Sequence, residues 1–252
     1  MITCLYVASN MVVVQLNNVG EAMSTVLITG ANRGLGLQFV RHYLGKGWQV
    51  IATCRSPENA KQLNELVTQS NQLQLMALDV TNQQDIDQLA TQLAERPLDH
   101  LILNAGVLGE ECAKLGEMTQ KKWLEVLNIN TVAPALLIQA LQDNVAKSQH
   151  KTIVGISTRV ASLSDNSSGN MYSYRASKAA LNQVLVSAAR NLESQGVKTV
   201  AVHPGWVKTD MGGEDATFSA EESVAGIVSV AEQLTLEQSG SFRVFDGSTI
   251  EW

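Results

Sequence analysis

The 252-residue chain has little of what several protein classes depend on. Its three cysteines, Cys4, Cys54 and Cys112, are odd in number and far apart. That argues against a disulfide framework and makes a reducing compartment, the cytoplasm, the expected location. The four histidines, His42, His100, His150 and His203, form no ligand-spaced pair, so no metal site is expected. Charged residues make up 17% and the net charge is −6, with no basic stripe of the kind a nucleic-acid partner requires. No apolar run approaches the length of a membrane span, so no membrane partner is expected. There is no internal repeat, low-complexity tract or proline-rich linker.

What is present is a 45% apolar share, enough for a sizeable core. Residues 1–22 lack the positive start of a signal peptide. They are expected to lie outside the fold, with an extra edge strand at MVVVQL (11–16) as the alternative. From Met23 onward, short β-branched runs recur: TVLIT (25–29), VIATC (50–54), LQLMAL (73–78), HLILN (100–104), KTIVGIS (151–157), KTVAVH (198–203) and FRVF (242–245). They are too short for helices and lack strict alternation, as strands covered on both faces do. Helical patterns lie between most of them, such as LGLQFVRHYLGKG (35–47), DIDQLATQLAE (85–95) and the long stretch 121–141. The order predicts an α/β fold of the Rossmann type. It is a doubly wound parallel sheet of about seven strands with helices on both faces, in one domain over 23–252.

The first strand runs into TGANRGLG (29–36), a TGxxxGxG turn ahead of a helix. Glycine lets the backbone approach a ligand, and a helix N-terminus suits a phosphate. The context predicts a dinucleotide site built on Gly30, Asn32, Arg33, Gly34, Leu35 and Gly36. An NAD-selective site usually carries an acid at the end of the second strand. Here that strand ends Thr53–Cys54–Arg55. Arg33 and Arg55 would instead grip a 2′-phosphate, which points to NADP(H). Asp79, followed by Val80 after the third strand, either accepts from the adenine amino group or serves as a turn or helix-cap residue.

Tyr174 and Lys178 stand four apart at the start of a predicted helix that runs from about residue 175 to near Gly196. A nearby ammonium is expected to lower the phenol's pKa, making Tyr174 an acid/base for carbonyl chemistry. Ser157 ends the fifth strand, where its hydroxyl could bond a substrate carbonyl. Asn130 is a polar residue in an apolar helix. It either anchors a water linking Lys178 to solvent or marks an irregularity ahead of Pro134.

These residues, with TGANRGLG, Asn104–Ala105–Gly106, YRASK (174–178) and HPGWVKTDMGG (203–213), give the chain its resemblance to the short-chain dehydrogenases/reductases of the short, single-domain type. ATCR, SGNMYSYRASKAALN and FDGSTIEW resemble the C-factor/Sniffer-like carbonyl reductase branch. The resemblance implies a catalytic set of Asn130, Ser157, Tyr174 and Lys178, with Lys178 also holding the nicotinamide ribose. It implies that Asn104, Ala105 and Gly106 lie beside the adenosine-side ribose. Pro204, Gly205, Val207 and Thr209 would flank the nicotinamide. The implied activity is NADPH-dependent reduction of a small ketone, aldehyde or quinone by a homodimer. The alternative is a nucleotide-binding signalling protein of C-factor type. The interval between Ser157 and Tyr174 is long and rich in serine and glycine, so the placement of Ser157 is the open point. Residues 210–226 are expected to cover the substrate. Trp206, Met211 and Phe218 could line an apolar wall or pack in the core.

Overall fold

The computed structural model describes residues 23–109 and 115–252. The candidate strand at 11–16, Cys4 and Cys112 lie outside the described residues. The strands are β1 (Thr25–Thr29), β2 (Gln49–Cys54), β3 (Leu73–Ala77), β4 (His100–Leu103), β5 (Thr152–Ile156), β6 (Lys198–His203) and β7 (Ser241–Val244). The helices are α1 (Gly34–Gly45), α2 (Lys61–Gln69), α3 (Gln83–Leu93), α4 (Gln120–Leu127), α5 (Ala133–Ala146), α6 (Tyr172–Leu192) and α7 (Ala220–Gln233). All strands pair in parallel in the order β3-β2-β1-β4-β5-β6-β7. The chain therefore winds outward in one direction from β1 and in the other from β4. Their junction is the switch point at whose carboxyl edge ligands bind in open α/β sheets.

Side-chain alternation explains why each strand reads as a continuous apolar run. Val26 and Ile28 of β1 face one core with Phe39, Val40 and Tyr43 of α1 and Val224 and Ile227 of α7. Leu27 faces the other with Leu89 of α3, Leu137 of α5 and Leu185 of α6. Both faces are dry, so both sets of positions are apolar. Helix α4, a π-helical segment (Asn128–Val132) and α5 form one 27-residue helical stretch. By length and composition this stretch could cross a membrane, which the expectation of no such apolar run did not foresee. Its inner residues Val126, Ala133, Leu137, Leu141 and Val145 are buried within the fold.

The amino-terminal edge of the sheet holds an aromatic cluster. Tyr43 Oη lies 2.6 Å from His100 Nδ1. Trp48 packs between His100 and His150 with ring centroids 4.8 and 5.3 Å away. Burial holds the His100 imidazole far below its ordinary 6.5, at about 3, with His150 and two lysines pushing the same way. His203 is held at about 4, mainly by burial and by Arg159. The unfolded chain takes up these protons near pH 6.5, whereas the folded chain does so only near its depressed values. Stability is thus complete above 6.5 and lost as the pH falls below it, at about 1.4 kcal/mol per pH unit per histidine. His42 is lowered too, by burial and Lys46; the urea midpoint should fall steadily between about pH 6.5 and 4.5, and His100→Asn should remove roughly a third to a half of that slope. An unchanged slope would remove His100 from the account.

Candidate active site

At the carboxyl edge of β1 the chain turns through Gly30 (φ 65°) and Gly34 (φ 53°), a left-handed geometry suited to glycine. A Cβ at Gly36 would run into the carbonyl oxygen of Gly30 and sit 2.7 Å from Asn104 Nδ2. Helix α1 starts at Gly34 with Arg33 as its N-cap and with no side-chain cap. By contrast, α3 is capped by Asn82 and α7 by Ser219. The turn is braced from β4. Asn104 Nδ2 donates to the carbonyls of Thr29 (2.8 Å) and Gly30 (3.1 Å), and Thr29 Oγ1 accepts from the N–H groups of Asn104 and Ala105. The Asn104 amide is therefore committed to shaping the turn. Thr29, which the sequence reading passed over, does the same work from the other side.

Asp79 is engaged within its own loop. Its Oδ1 accepts from the Thr81 N–H (2.9 Å) and hydroxyl (2.7 Å). Of the two roles open to it, the turn role is the one its bonds occupy. Val80 is half-buried at the same edge, beside Thr29, Leu103 and Ala105. Arg33 and Arg55 leave the sheet at the same edge, since Thr29 and Thr53 pair in register. Arg33 Nη1 is paired with Asp210 Oδ2 at 3.0 Å, both side chains being largely exposed.

Across the switch point, α6 faces the end of β5. The backbone enters this helix through three consecutive left-handed residues, Gly169 (φ 64°), Asn170 (φ 59°) and Met171 (φ 49°). That conformation is costly for methionine and collects at functional sites. Lys178 is 4% exposed, and its Nζ donates to the Ile156 carbonyl at 2.7 Å. Thr158 lies beside the Tyr174 phenol, where it favours the ionised form. Ser157 is 2% exposed, its N–H donates to Val202 O at 2.8 Å, and its Oγ donates to Asn182 Oδ1 at 2.6 Å. Asn130 is fully buried within the π segment. Its Oδ1 accepts from Val107 N at 2.9 Å, and its Nδ2 donates to Val107 O and Ser177 Oγ. A Cβ at Gly106 would lie 3.2 Å from Asn130 Oδ1 and 3.4 Å from Lys178 Nζ. Asn130, Lys178 and Gly106 thus converge, and the amide of Asn130 is bound to protein backbone.

The expected depression of the phenol is corrected here. Burial pushes Tyr174 up to about 12, with only the neighbouring Thr158 opposing it. Lys178 is itself lowered to about 8 by burial. Its ammonium is turned to the Ile156 carbonyl, and the loss of solvent around the phenol outweighs the charge one helical turn away.

The loop from Thr158 to Met171 is held on two sides. Arg175 donates to Val160 O and Ser168 Oγ, both at 2.9 Å. Ser162 Oγ donates to Glu251 O (2.7 Å), and Ser164 N donates to Trp252 O (3.1 Å). On the far side, Pro204 and Gly205 (φ 82°) follow β6, and a Cβ at Gly34 would meet Thr209 at 3.5 Å. The glycine turn and the loop after β6 therefore lie side by side. Val207 is buried behind that loop and bridges to Phe218. The three wall candidates separate. Phe218 packs edge-on against Phe245, with ring centroids 4.8 Å apart, whereas Trp206 and Met211 are exposed.

Residues 24–219 match the family model for short chain dehydrogenases. The chain belongs to the short-chain dehydrogenase family. One relative of this dehydrogenase is the C-signal of Myxococcus xanthus, 39% identical over 163 residues, which are 65% of this chain and 98% of the relative. Among solved structures, the carbonyl reductase Sniffer of D. melanogaster superposes with a TM-score of 0.86 at 33% identity, covering 92% of this chain and 100% of that one. An NADPH-bound carbonyl reductase from chicken fatty liver gives 0.85 at 35% identity, over 91% and 99%. The C-factor/Sniffer-like resemblance thus holds in both comparisons. The dehydrogenase's site also contains residues the sequence reading did not select: Thr29, Thr158, Asn182 and Asp210. Of these only Asn182 left a local signal, as a polar residue four beyond Lys178 in an apolar stretch.

Proposed function

We propose that this dehydrogenase is an NADPH-dependent carbonyl reductase acting on a small ketone, aldehyde or quinone. The observation that carries the reading is the seating of Tyr174 and Lys178 on one face of α6 against Ile156, Ser157 and Thr158 at the end of β5. The uncapped α1 and the Gly36 cradle fit a pyrophosphate, and the NADPH-bound chicken reductase supports the choice of cofactor. When bound, the reduced nicotinamide supplies a hydride, with its two electrons, to the carbonyl carbon.

The residues of this chain do the rest. Tyr174 keeps its proton throughout the neutral range, so it is in the correct form to give that proton to the carbonyl oxygen as charge develops there. Ser157, whose hydroxyl proton goes to Asn182 Oδ1 in the structure, would donate to the same oxygen once that bond is released. Lys178 is mostly charged at neutral pH and spends one of its three N–H bonds on Ile156. The other two can serve the ribose hydroxyls, and the positive charge stabilises the phenolate left after proton transfer. Water then reprotonates Tyr174. We also propose a cytoplasmic homodimer, formed along α4 and the π segment, where Leu124 and Val132 are exposed beside α6.

The test is a panel of quinones, ketones and aldehydes scored by NADPH oxidation. Turnover of at least one class supports the reading. Tight NADPH binding without turnover across the panel would favour a second reading, a nucleotide-binding signalling protein, which the 39% identity to C-signal supports. Cofactor choice is tested separately. Arg33→Ala and Arg55→Ala should each weaken NADPH about tenfold, as the loss of a charge-assisted hydrogen bond does, and leave NADH within about threefold. Equal losses for both cofactors, in fluorescence titrations, would contradict the assignment.

A further inference from the structure

The stripe that α6 presents to β5 continues beyond Lys178. Asn182 lies one turn further on the same face and is 2% exposed. Two successive turns of α6 thereby hold two successive residues at the end of β5: Asn182 holds Ser157 and Lys178 holds Ile156. We propose that Asn182 is a positioning residue that aims the Ser157 hydroxyl. Its amide, donor and acceptor at once, lets the serine reverse the direction of its hydrogen bond as substrate arrives. The inference rests on the carbonyl reductase reading.

A serine hydroxyl has one proton to give. In the structure that proton goes to Asn182 Oδ1, and only oxygen lone pairs are left for a substrate. That arrangement suits an alcohol, whose O–H can donate to the serine. A carbonyl oxygen needs the opposite, a donor aimed at it. A half-turn of the amide brings Nδ2 to Ser157 Oγ, and the serine proton is freed for the substrate. The two amide ends are nearly the same size, so the half-turn needs little repacking. An ionised aspartate at this position could only accept, and would keep the serine proton. Leucine would leave the hydroxyl without a guide.

The experiment compares Asn182→Asp and Asn182→Leu in the native protein and in Ser157→Ala, with kcat, KM and NADPH affinity measured across pH. Both single variants should bind NADPH within about twofold of native and lose kcat, Asn182→Asp by about 10²-fold at alkaline pH. Burial raises the pKa of the introduced carboxyl and the Lys178 ammonium one turn away lowers it; where acidification protonates it, it again offers a donor and an acceptor, and the defect should shrink to about tenfold. In the Ser157→Ala background either change should cost less than about twofold further, because the group being aimed is absent. Additive losses in that background, a defect independent of pH, or an undiminished kcat in Asn182→Leu would overturn the proposal while leaving the reductase reading intact. A native protein that binds NADPH and turns over no carbonyl compound would overturn both.

Discussion

Tyr174→Phe should lower kcat for carbonyl reduction about 10³-fold, near the middle of the range that a positioned general acid contributes. NADPH affinity should stay within about twofold, because the glycine turn and Lys178 are untouched. In energy the loss is about 4 kcal/mol of transition-state stabilisation. Phenylalanine keeps the ring that packs at the start of α6 and removes only the oxygen beside Thr158, so folding should be nearly unchanged. That separates chemistry from packing. If Tyr174 were merely an aromatic of the helix interface, kcat would be preserved. Steady-state rates beside a cofactor titration check both halves, and full activity in the variant would reject the assigned acid.

Gly36→Ala should be nearly as damaging, by a different route. The new methyl would meet the Gly30 carbonyl, Asn104 Nδ2 at 2.7 Å and Ala31 Cα at 2.9 Å. Two of these three are backbone atoms that no rotamer change can move. Overpacking of this kind costs about 1–3 kcal/mol, and here the strain falls on the turn that would face the pyrophosphate. We expect the urea midpoint to drop and NADPH affinity to fall by more than about 100-fold, as a displaced turn loses its donors together. Gly45→Ala is the control. It closes the same helix, a Cβ there would meet nothing within 4 Å, and alanine should stabilise it by up to about 1 kcal/mol. Equal behaviour of the two variants would show that close packing at Gly36 is not what matters.

The sheet was legible because its strands are covered on both faces. Val26, Leu27 and Ile28 serve two cores in alternation, and the run reads as strand without knowing which residue faces which. The glycine turn and the Tyr174–Lys178 pair were legible because each is local, fixed by spacing along one turn or one helix face. Helix α2 was harder to see, since Leu63 is its only buried residue and the periodic signal is thin. The π segment follows from the fit of Asn130 to Val107 and Ser177, which are distant in sequence. The commitments of Asn104 to the turn and of Asn182 to Ser157 are likewise settled by strand register, with partners 75 and 25 residues away. The phenol's acidity failed for a related reason. Spacing brings a cation near Tyr174, but the burial that decides the balance comes from the whole fold.

The carbonyls of Glu251 and Trp252 anchor the segment that follows Ser157, and the Trp252 ring stacks on Phe242 of the last strand, with ring centroids 5.4 Å apart. Trimming of those two residues by a carboxypeptidase would therefore reach the proposed site without touching it. Two acceptors and a stacked indole would go at once, and of the hydrogen bonds that tie this segment to the rest of the fold those of Arg175 would remain.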